Sequence, residues 1–207
     1  MIYFDSNYPA EKLINPVVGI LKKDGVICYP TDTVYGIGCD IHSVKAVEKI
    51  YMLKNFKKNK PLSFICHDIA QITQYAKVSN SSYKIMKELL PGPYTFILNS
   101  TKLTPKVLMH PRKTVGIRMP DNKICLSIVA ELGSPLINTS ASFGEDEIIS
   151  DPGYINEHLG HGLEAIIDRG VLYASYSSII DLTEDIPKII REGKGDLTWI
   201  RSMINNQ

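Results

Sequence analysis

The sequence predicts an α/β fold in which one twisted sheet of mixed parallel and antiparallel strands is flanked by helices. Apolar residues follow two patterns along the chain: short apolar runs, which favour strands, and repeats at i, i+3 and i+4, which favour surface helices. The two patterns are interleaved without strict strand–helix–strand alternation, so some consecutive strands can pair antiparallel. The 207 residues contain no linker, repeat or low-complexity segment, and we expect a single domain over 1–207.

Six helices are predicted from apolar spacing and from polar residues that can cap a first turn. An apolar stripe over 13–21 indicates the first helix. Ser43 and Asp68 precede later repeats, and their side chains can accept hydrogen bonds from the first turn of a helix. The fourth helix is expected to place Tyr83 on its apolar face. The predicted helices cover 11–22, a segment after Ser43, 68–76, Ser81 or Ser82 to the residue before Pro91, Asp121 or Asn122 to Leu132, and 152–159.

Eight strands are predicted from short apolar runs that are bounded by turn residues. Pro30 cannot donate a hydrogen bond within a sheet, and it therefore marks the end of the first run. Polar residues and two nearby glycines follow, which is also typical of a plain turn with a return strand and no ligand. The predicted strands cover 26–29, 62–66, 94–98, 114–119, 135–138, 164–168, 177–182 and 188–191.

Composition places the chain among ordinary globular proteins. Hydrophobic residues make up 44% and charged residues 22% of the chain, and the formal net charge is +1. A charge so close to zero gives no overall attraction to nucleic acid, so an RNA partner would need a local basic patch. The sequence has no leader-like start and no apolar stretch of membrane-spanning length, and we expect a cytoplasmic protein without membrane contact.

No known metal or phosphate motif occurs. The four cysteines are spread without a C-x-x-C pair, which favours reduced and partly buried thiols. His158 and His161 are too few for a closed metal shell, and no protein-bound metal is expected. The chain has no Walker A sequence, and Gly36-Ile-Gly38 lacks the third glycine of a dinucleotide-binding fingerprint, where Ile41 stands.

Two features are candidates for a binding site. Lys54, Lys57, Lys58 and Lys60 lie within seven residues that contain no acid, which is typical either of a solvated loop or of a cradle for a triphosphate. Arg118 stands at the end of a predicted strand. An arginine in this position forms a surface ion pair in many proteins, or it binds a carboxylate through two parallel hydrogen bonds. The residues alone leave these alternatives open.

Six sequence blocks occur in the order that is typical of one protein family. They are Pro30-Thr-Asp-Thr-Val-Tyr-Gly-Ile-Gly38, Lys60-Pro-Leu62, Pro91-Gly-Pro-Tyr-Thr95, Val115-Gly-Ile-Arg-Met-Pro120, Asn138-Thr-Ser-Ala141 and Ile189-Ile-Arg-Glu-Gly193. Together they resemble the YrdC/YciO family, the threonylcarbamoyl-adenylate synthase superfamily, from about residue 11 to about residue 196. The resemblance implies the twisted mixed sheet of a YrdC-like domain.

The resemblance also implies a reaction and a site. ATP, threonine and bicarbonate would give threonylcarbamoyl-AMP for a tRNA modification, and Mg²⁺ would enter with ATP. Thr33 and Arg118 would bind the amino acid, and Lys54 and Ser140 would take part in catalysis. The attacking carbamate is already anionic, so positioning and cations supply most of the catalysis. The residues implied to bind the nucleotide are Lys54, Lys57, Thr95, Ser140, Ser177 and Arg191.

Three positions depart from the pattern of the synthases. Phe56 stands where they have an arginine, Ser142 where they have an asparagine, and Ile65 where they have a histidine. The synthases share a set of four residues, Lys, Arg, Ser and Asn. This chain keeps only the lysine, as Lys54, and the serine, as Ser140. The chain is therefore most similar to the YciO branch, and weak or divergent synthase activity is expected.

Three functions remain open from the sequence. The first is a nucleotidyltransferase of the threonylcarbamoyl-AMP synthase type with reduced activity. The second is a module that binds double-stranded RNA or tRNA through a basic concave face. The third is a domain that binds a nucleotide or a partner without turnover. Pyrophosphate release that depends on ATP and threonine would identify the first, and RNA binding that falls steeply with salt would identify the second.

Overall fold

The computed structural model describes residues 1–5, 7–57, 60–105, 113–143, 147–173 and 175–205. Within these ranges the helices are α1 (Ala10–Leu21), α2 (Val44–Leu53), α3 (Ile69–Tyr75), α4 (Asn80–Leu89), α5 (Lys123–Leu132), α6 (Pro152–Leu159) and α7 (Thr198–Asn205), with a short 3-10 helix at Gly160–Gly162. The strands are β1 (Ile2–Phe4), β2 (Ile27–Tyr29), β3 (Gly36–Gly38), β4 (Ser63–Ile65), β5 (Ala76–Lys77), β6 (Tyr94–Ser100), β7 (Thr114–Arg118), β8 (Leu136–Ser140), β9 (Ser142–Phe143), β10 (Glu147–Ile148), β11 (Ala165–Ile167), β12 (Ser178–Asp181) and β13 (Lys188–Arg191).

One large mixed sheet organises the chain. Its strand order is β1-β11-β2-β3-β8-β4-β7-β6-β12-β13, β5 pairs with β6, and β9 and β10 form a separate antiparallel pair. The pairs β1–β11, β11–β2, β4–β7 and β6–β12 are parallel, whereas β2–β3, β3–β8, β4–β8, β6–β7 and β12–β13 are antiparallel. The prediction of a mixed sheet flanked by helices is confirmed.

The helices cover the two faces of the sheet unequally. One face packs against α2, α3, α4, α6 and α7, whose buried side chains join Phe64, Phe96 and Ile117 of the strands in a large core cluster. The other face packs against α1 and α5, and this second cluster includes Ile27 and Ile65. Among the described residues, the second cluster contains none from β6, β7, β12 or β13. These four strands therefore present one face that α1 and α5 do not cover.

Polar caps fix the starts of several helices. The Ser43 hydroxyl accepts a hydrogen bond from the Ala46 N–H at the start of α2, and the Asp68 carboxylate accepts from the Gln71 N–H at the start of α3. Both caps agree with the sequence analysis. Asn122, one of the two caps considered for α5, occupies that position.

The start of α4 differs from the prediction. Ser79, and not Ser81 or Ser82, caps this helix by accepting a hydrogen bond from the Ser82 N–H. Ser82 is buried, and its hydroxyl donates to the Leu182 carbonyl oxygen. Successive helix residues point about 100° apart, so Tyr83 faces away from the core when Ser82 faces it. Tyr83 is 45% exposed, and its predicted place on the apolar face is wrong.

The predicted elements do not include β1, β5, β9, β10 or α7, and β3 was considered only as the return strand of a plain turn. Each of these strands has two or three residues, too few for a period to be visible in the sequence. Within the described ranges, no helix combines the length and the apolar character needed to cross a membrane.

Candidate functional site

A cavity of about 740 Å³ lies on the sheet face that α1 and α5 leave uncovered. Its floor comes from β6, β7, β12 and β13, and residues of β4 and β8 close one side. Paired positions run across this floor from Asn138 through Ser63, Gly116 and Ile97 to Asp181. A concave site with both apolar side chains and polar groups at defined places is typical of a small-molecule site.

Arg118 lies at the end of β7 and lines the cavity, with a side chain that is only 5% exposed. Its Nη2 donates to Asp32 Oδ1 at 2.8 Å and to Thr33 Oγ1 at 2.9 Å. Asp32 Oδ2 also accepts a hydrogen bond from the Asp121 N–H at 3.0 Å. The ion pair between Arg118 and Asp32 is therefore buried, and it is not the surface pair that the sequence left open.

The Arg118 guanidinium is not fully satisfied by the protein. Nη2 carries two hydrogens, and the two acceptors just named take both. Nε is buried and has no hydrogen-bond partner among the described residues. An unpaired buried donor costs about 1–3 kcal/mol. A further acceptor that reached Nε, such as a carboxylate oxygen, would remove that cost.

The polar turn after β2 holds the partners of Arg118 in place. The Thr31 hydroxyl donates to the Val34 carbonyl oxygen at 2.6 Å and accepts from the Thr33 N–H at 3.1 Å. Lys194 Nζ donates to the Asp32 carbonyl oxygen at 2.6 Å. Thr31 and Thr33 are both buried. Thr33 thus acts on Arg118 directly, although it is not among the residues that line the cavity.

The two glycines after this turn allow close packing inside the sheet. A Cβ at Gly38 would lie 2.1 Å from the Ile137 carbonyl oxygen, and one at Gly36 would lie 2.7 Å from Asn138 Oδ1. Both distances are too short for real atoms. These glycines therefore serve the contact of β3 with β8 and with the Tyr29 ring, not the approach of a ligand. Ser140, which lines the cavity, pairs with Gly36 at the end of β8.

Thr95, Ser177 and Arg191 lie together in the cavity wall. Thr95 Oγ1 and Ser177 Oγ are 2.8 Å apart, and Arg191 donates to the Ser177 carbonyl oxygen through Nε at 3.1 Å and Nη2 at 2.9 Å. The Arg191 guanidinium also lies 4.8 Å from the centre of the Tyr176 ring. Burial lowers the pKa of Arg191, and the positive charge of Arg118 acts in the same direction. Arg191 thus adds a second guanidinium to the cavity wall, beside that of Arg118, which is paired with Asp32.

The other end of the cavity contains carboxylates that the sequence analysis missed. Asp181 Oδ1 accepts hydrogen bonds from the N–H and the hydroxyl of Thr183, and Lys188 Nζ lies 2.8 Å from Glu184 Oε2. All four residues line the cavity. No motif marks them, because they reach the cavity only through the pairing of β12 with β6.

Lys54 is not among the residues that line the cavity. It is the C-terminal cap of α2, and its Nζ donates to the carbonyl oxygen of Ser142 and lies 3.2 Å from the Ser142 hydroxyl. Burial, followed by the positive charge of Lys60, lowers the pKa of Lys54 to about 8. The structure therefore gives this amine a protein partner.

The other described members of the lysine cluster, Lys57 and Lys60, do not line the cavity either. Lys60 Nζ lies 4.1 Å from the centre of the Phe56 ring, and Lys54 Nζ lies 5.6 Å from it. Lys57 is exposed. Lys58 lies outside the described residues. Among the described lysines, the cluster is thus organised around an aromatic ring and not along the cavity wall.

Ile65 and the cysteines belong to the core. Ile65 is fully buried in the cluster under α1 and α5, and it pairs with Arg118 across β4 and β7. The four cysteines are free and buried, as expected. Among the described residues, no group of three or more His, Cys, Asp or Glu side chains is arranged to hold a metal ion.

Comparison with known proteins supports one family. A family model described as Sua5/YciO/YrdC, telomere recombination, matches residues 19–193. YciO of Escherichia coli K12, an uncharacterized protein, is 38% identical over 197 residues, which cover 94% of this chain and 96% of YciO. A putative threonylcarbamoyl-AMP synthase of Methanocaldococcus jannaschii is 37% identical over 177 residues, which cover 84% of this chain and 82% of that protein.

Solved structures agree with the sequence comparison. The crystal structure of E. coli YciO matches with a TM-score of 0.87 at 37% identity and covers 95% of this chain and 97% of its own. The crystal structure of Pyrococcus abyssi Sua5 complexed with L-threonine matches with a TM-score of 0.89 at 27% identity. That match covers 98% of this chain and 60% of Sua5. The chain therefore belongs to the Sua5/YciO/YrdC family.

Proposed function

We propose that this protein is a nucleotidyltransferase of the threonylcarbamoyl-AMP synthase type with low turnover. The observation that carries the proposal is Arg118, a buried cation in the wall of a 740 Å³ cavity whose Nε has no acceptor among the described residues. An amino-acid carboxylate bound beside it would supply that acceptor. Two relatives support the substrate class: one is named a putative threonylcarbamoyl-AMP synthase, and another was crystallised with L-threonine.

The nucleotide would bind along the same cavity. Thr95, Ser140 and Ser177 offer hydroxyl groups to phosphate oxygens, and Arg191 offers a second guanidinium. Mg²⁺ would enter with ATP as part of the substrate. Arginine suits this task because its planar group binds phosphate or carboxylate through two parallel hydrogen bonds.

The reaction needs little proton transfer from the protein. Threonine and bicarbonate give a carbamate, a carbamate oxygen forms a bond to the α-phosphorus of ATP, and the bond to pyrophosphate breaks. The nucleophile is already anionic, so the protein needs to position the reactants and neutralise negative charge. Among the described residues, the side chains that line the cavity include two arginines and seven hydroxyl-bearing residues but no histidine. This composition fits such a mechanism.

Low turnover follows from the state of Lys54. In this protein the amine already donates to Ser142, and both Lys54 and Lys60 lie close to the Phe56 ring. A triphosphate would have to displace the Ser142 contact before it gained the charge of Lys54. Phe56 also supplies no cation of its own.

The test of the proposal is pyrophosphate release in the presence of ATP, Mg²⁺, bicarbonate and L-threonine. Release should be slow, and it should depend on both L-threonine and bicarbonate. Arg118→Lys keeps the charge but loses the Nε donor and the planar group that contacts Asp32 and Thr33. We therefore expect the rate to fall by roughly tenfold or more, since each 1.4 kcal/mol is a factor of ten.

Arg201→Lys is the matched control. Arg201 lies on α7 and forms an exposed ion pair with Glu192, so this substitution should leave the rate unchanged. Urea unfolding of both variants separates a loss of binding from a loss of fold. Threonine-independent release, or equal rates in Arg118→Lys and the unmodified protein, would contradict the proposal.

A further inference from the structure

Gly116 occupies the middle of β7, a strand in the interior of the sheet. It lines the floor of the cavity, where it pairs with Ser63 on one side and with Ile97 on the other. Glycine weakens a strand interior because it has no side chain to pack and loses more conformational freedom than other residues. A glycine at this place therefore needs a reason.

The fold does not supply that reason. Gly116 is not among the described glycines with positive φ, which are Gly133 and Gly170. A Cβ at Gly116 would lie 3.4 Å from Ser63 Cβ and 3.5 Å from Thr95 Cγ2, which is ordinary van der Waals contact. This contrasts with Gly38, where a Cβ would lie 2.1 Å from a backbone oxygen. Alanine would fit at position 116 without movement of its neighbours.

The missing side chain leaves a notch in the cavity floor. The atoms nearest to the notch are carbons, Ser63 Cβ and Thr95 Cγ2. The hydroxyls of the same residues are engaged elsewhere: Ser63 Oγ donates to the Asn138 carbonyl oxygen, and Thr95 Oγ1 bonds with Ser177 Oγ. The walls of the notch therefore favour an apolar group of the size of one or two methyls.

The position of Arg118 relative to Gly116 determines which part of a bound ligand lies at the notch. Arg118 and Gly116 are two residues apart on β7, so they share a face of the sheet, and their Cα atoms lie about 6.6–6.8 Å apart along the strand. A small carboxylic acid that bound beside Arg118 along this face would direct the substituent of its neighbouring carbon towards Gly116. A ligand that fits both Arg118 and the notch is a small carboxylic acid with a short side chain.

We propose that Gly116 determines the substrate specificity of this site, because the side chain of a small, methyl-bearing α-amino acid lies over its backbone. The inference rests on the proposed function only in placing the amino-acid carboxylate beside Arg118. Alanine at position 116 would fill the notch with its own methyl group. Amino acids that carry a methyl group would then bind less tightly, whereas the affinity for glycine, which has no side chain, would not change.

Isothermal titration calorimetry with glycine, L-alanine and L-threonine tests the proposal, each titrated with Mg²⁺ and α,β-methylene-ATP present. The unmodified protein should bind L-alanine and L-threonine more tightly than glycine. In Gly116→Ala the affinity for both methyl-bearing amino acids should fall about tenfold or more, while the affinity for glycine stays within about twofold.

Gly19→Ala is the matched control. Gly19 lies inside α1, and nothing lies within 4 Å of a Cβ built there. This variant should bind all three amino acids as the unmodified protein does. Urea unfolding should show that neither variant is less stable than the unmodified protein, and a destabilised Gly116→Ala would overturn the premise that the fold does not require this glycine.

The outcomes separate this inference from the proposed function. Equal losses for all three amino acids in Gly116→Ala, or no loss for any, would overturn the inference. Binding of none of them to the unmodified protein would also overturn it, whether or not pyrophosphate is released. If the unmodified protein shows the expected discrimination but releases no pyrophosphate, the inference stands and the proposed enzyme activity does not.

Discussion

Arg118 and Asp32 show how a buried charge is kept at the edge of a cavity. Their side chains are 5% and 8% exposed, so they attract each other more strongly than a surface pair would. The carboxylate is tied on its other side to the Asp121 N–H. Removal of one member of such a pair leaves an unpaired buried charge, which costs about 3–5 kcal/mol. Asp32 therefore fixes the arginine in its orientation.

Lys54 has a consequence for stability that can be measured. Burial lowers its pKa from 10.5 to about 8, so between these two pH values the unfolded chain binds a proton that the folded chain does not. The free energy of unfolding should then rise with pH through this window. Relative to Lys54→Met, the unmodified protein should gain about 1 kcal/mol, since partial exposure reduces the effect. Urea unfolding from about pH 7 to about pH 10 measures the difference.

Lys188→Met is the control for this experiment. The hydrogen bond with Glu184 raises the pKa of Lys188, which is the opposite direction. The difference between the unmodified protein and Lys188→Met should therefore show no rise over the same window. A flat difference for Lys54→Met as well would mean that the Lys54 amine stays charged in the fold.

At the scale of single elements, the start of α4 gives a second test of stability. Ser79 is the cap, so Ser79→Ala leaves the Ser82 N–H without its acceptor. We expect this substitution to lower the free energy of unfolding by about 1 kcal/mol. Ser81→Ala, two residues later in the same helix, should cost less than about 0.5 kcal/mol. Equal effects of the two substitutions in urea unfolding would show that Ser79 does not act as the cap.

The elements that could be predicted are those with a local signal. Asp68 and Ser43 are followed by helical repeats, and both cap helices as expected. The strand at Lys188–Arg191 was predicted with its observed bounds. β1 could not be predicted, because its pairing with β11 depends on contacts such as Ile2 with Ala165. The start of α4, and with it the face that Tyr83 occupies, was predicted wrongly because Ser79, Ser81 and Ser82 are chemically equivalent as caps.

The site could be predicted only in part, for a similar reason. Thr33 and Arg118, which the sequence singled out, are in direct contact in the structure, and so are Thr95 and Ser177. Lys54 was expected beside a nucleotide, but its contact with Ser142 depends on how β8 continues into β9. Asp181 carries no motif and becomes part of the cavity through sheet pairing. The nucleotide role of Lys54 and Lys57 remains a prediction.

At the scale of the whole molecule, the unequal covering of the sheet creates the site. Five helices bury one face along most of its width, while α1 and α5 stop short of β6, β7, β12 and β13. Arg118 lies at this boundary, since its partner across the sheet, Ile65, is fully covered. The arginine therefore forms a buried ion pair and also lines the cavity, although its side chain is only 5% exposed. A fold with full helical cover would leave no such position.

The lysine segment after α2 lies at another border of the same cavity, since Pro61 and Leu62 follow it and line the wall. Replacement of Phe56 by arginine would put three cations close together, with Lys54 and Lys60, and a triphosphate would relieve their repulsion. Together with Ser142→Asn, which adds an amide next to Lys54, Phe56→Arg should raise pyrophosphate release with ATP, bicarbonate and L-threonine by roughly tenfold. The gain should disappear when Lys54→Ala is added, because the two substitutions act on the phosphates that Lys54 would hold. A gain that survives Lys54→Ala would place the added cation elsewhere, and no gain in the double variant would indicate a substrate other than threonine.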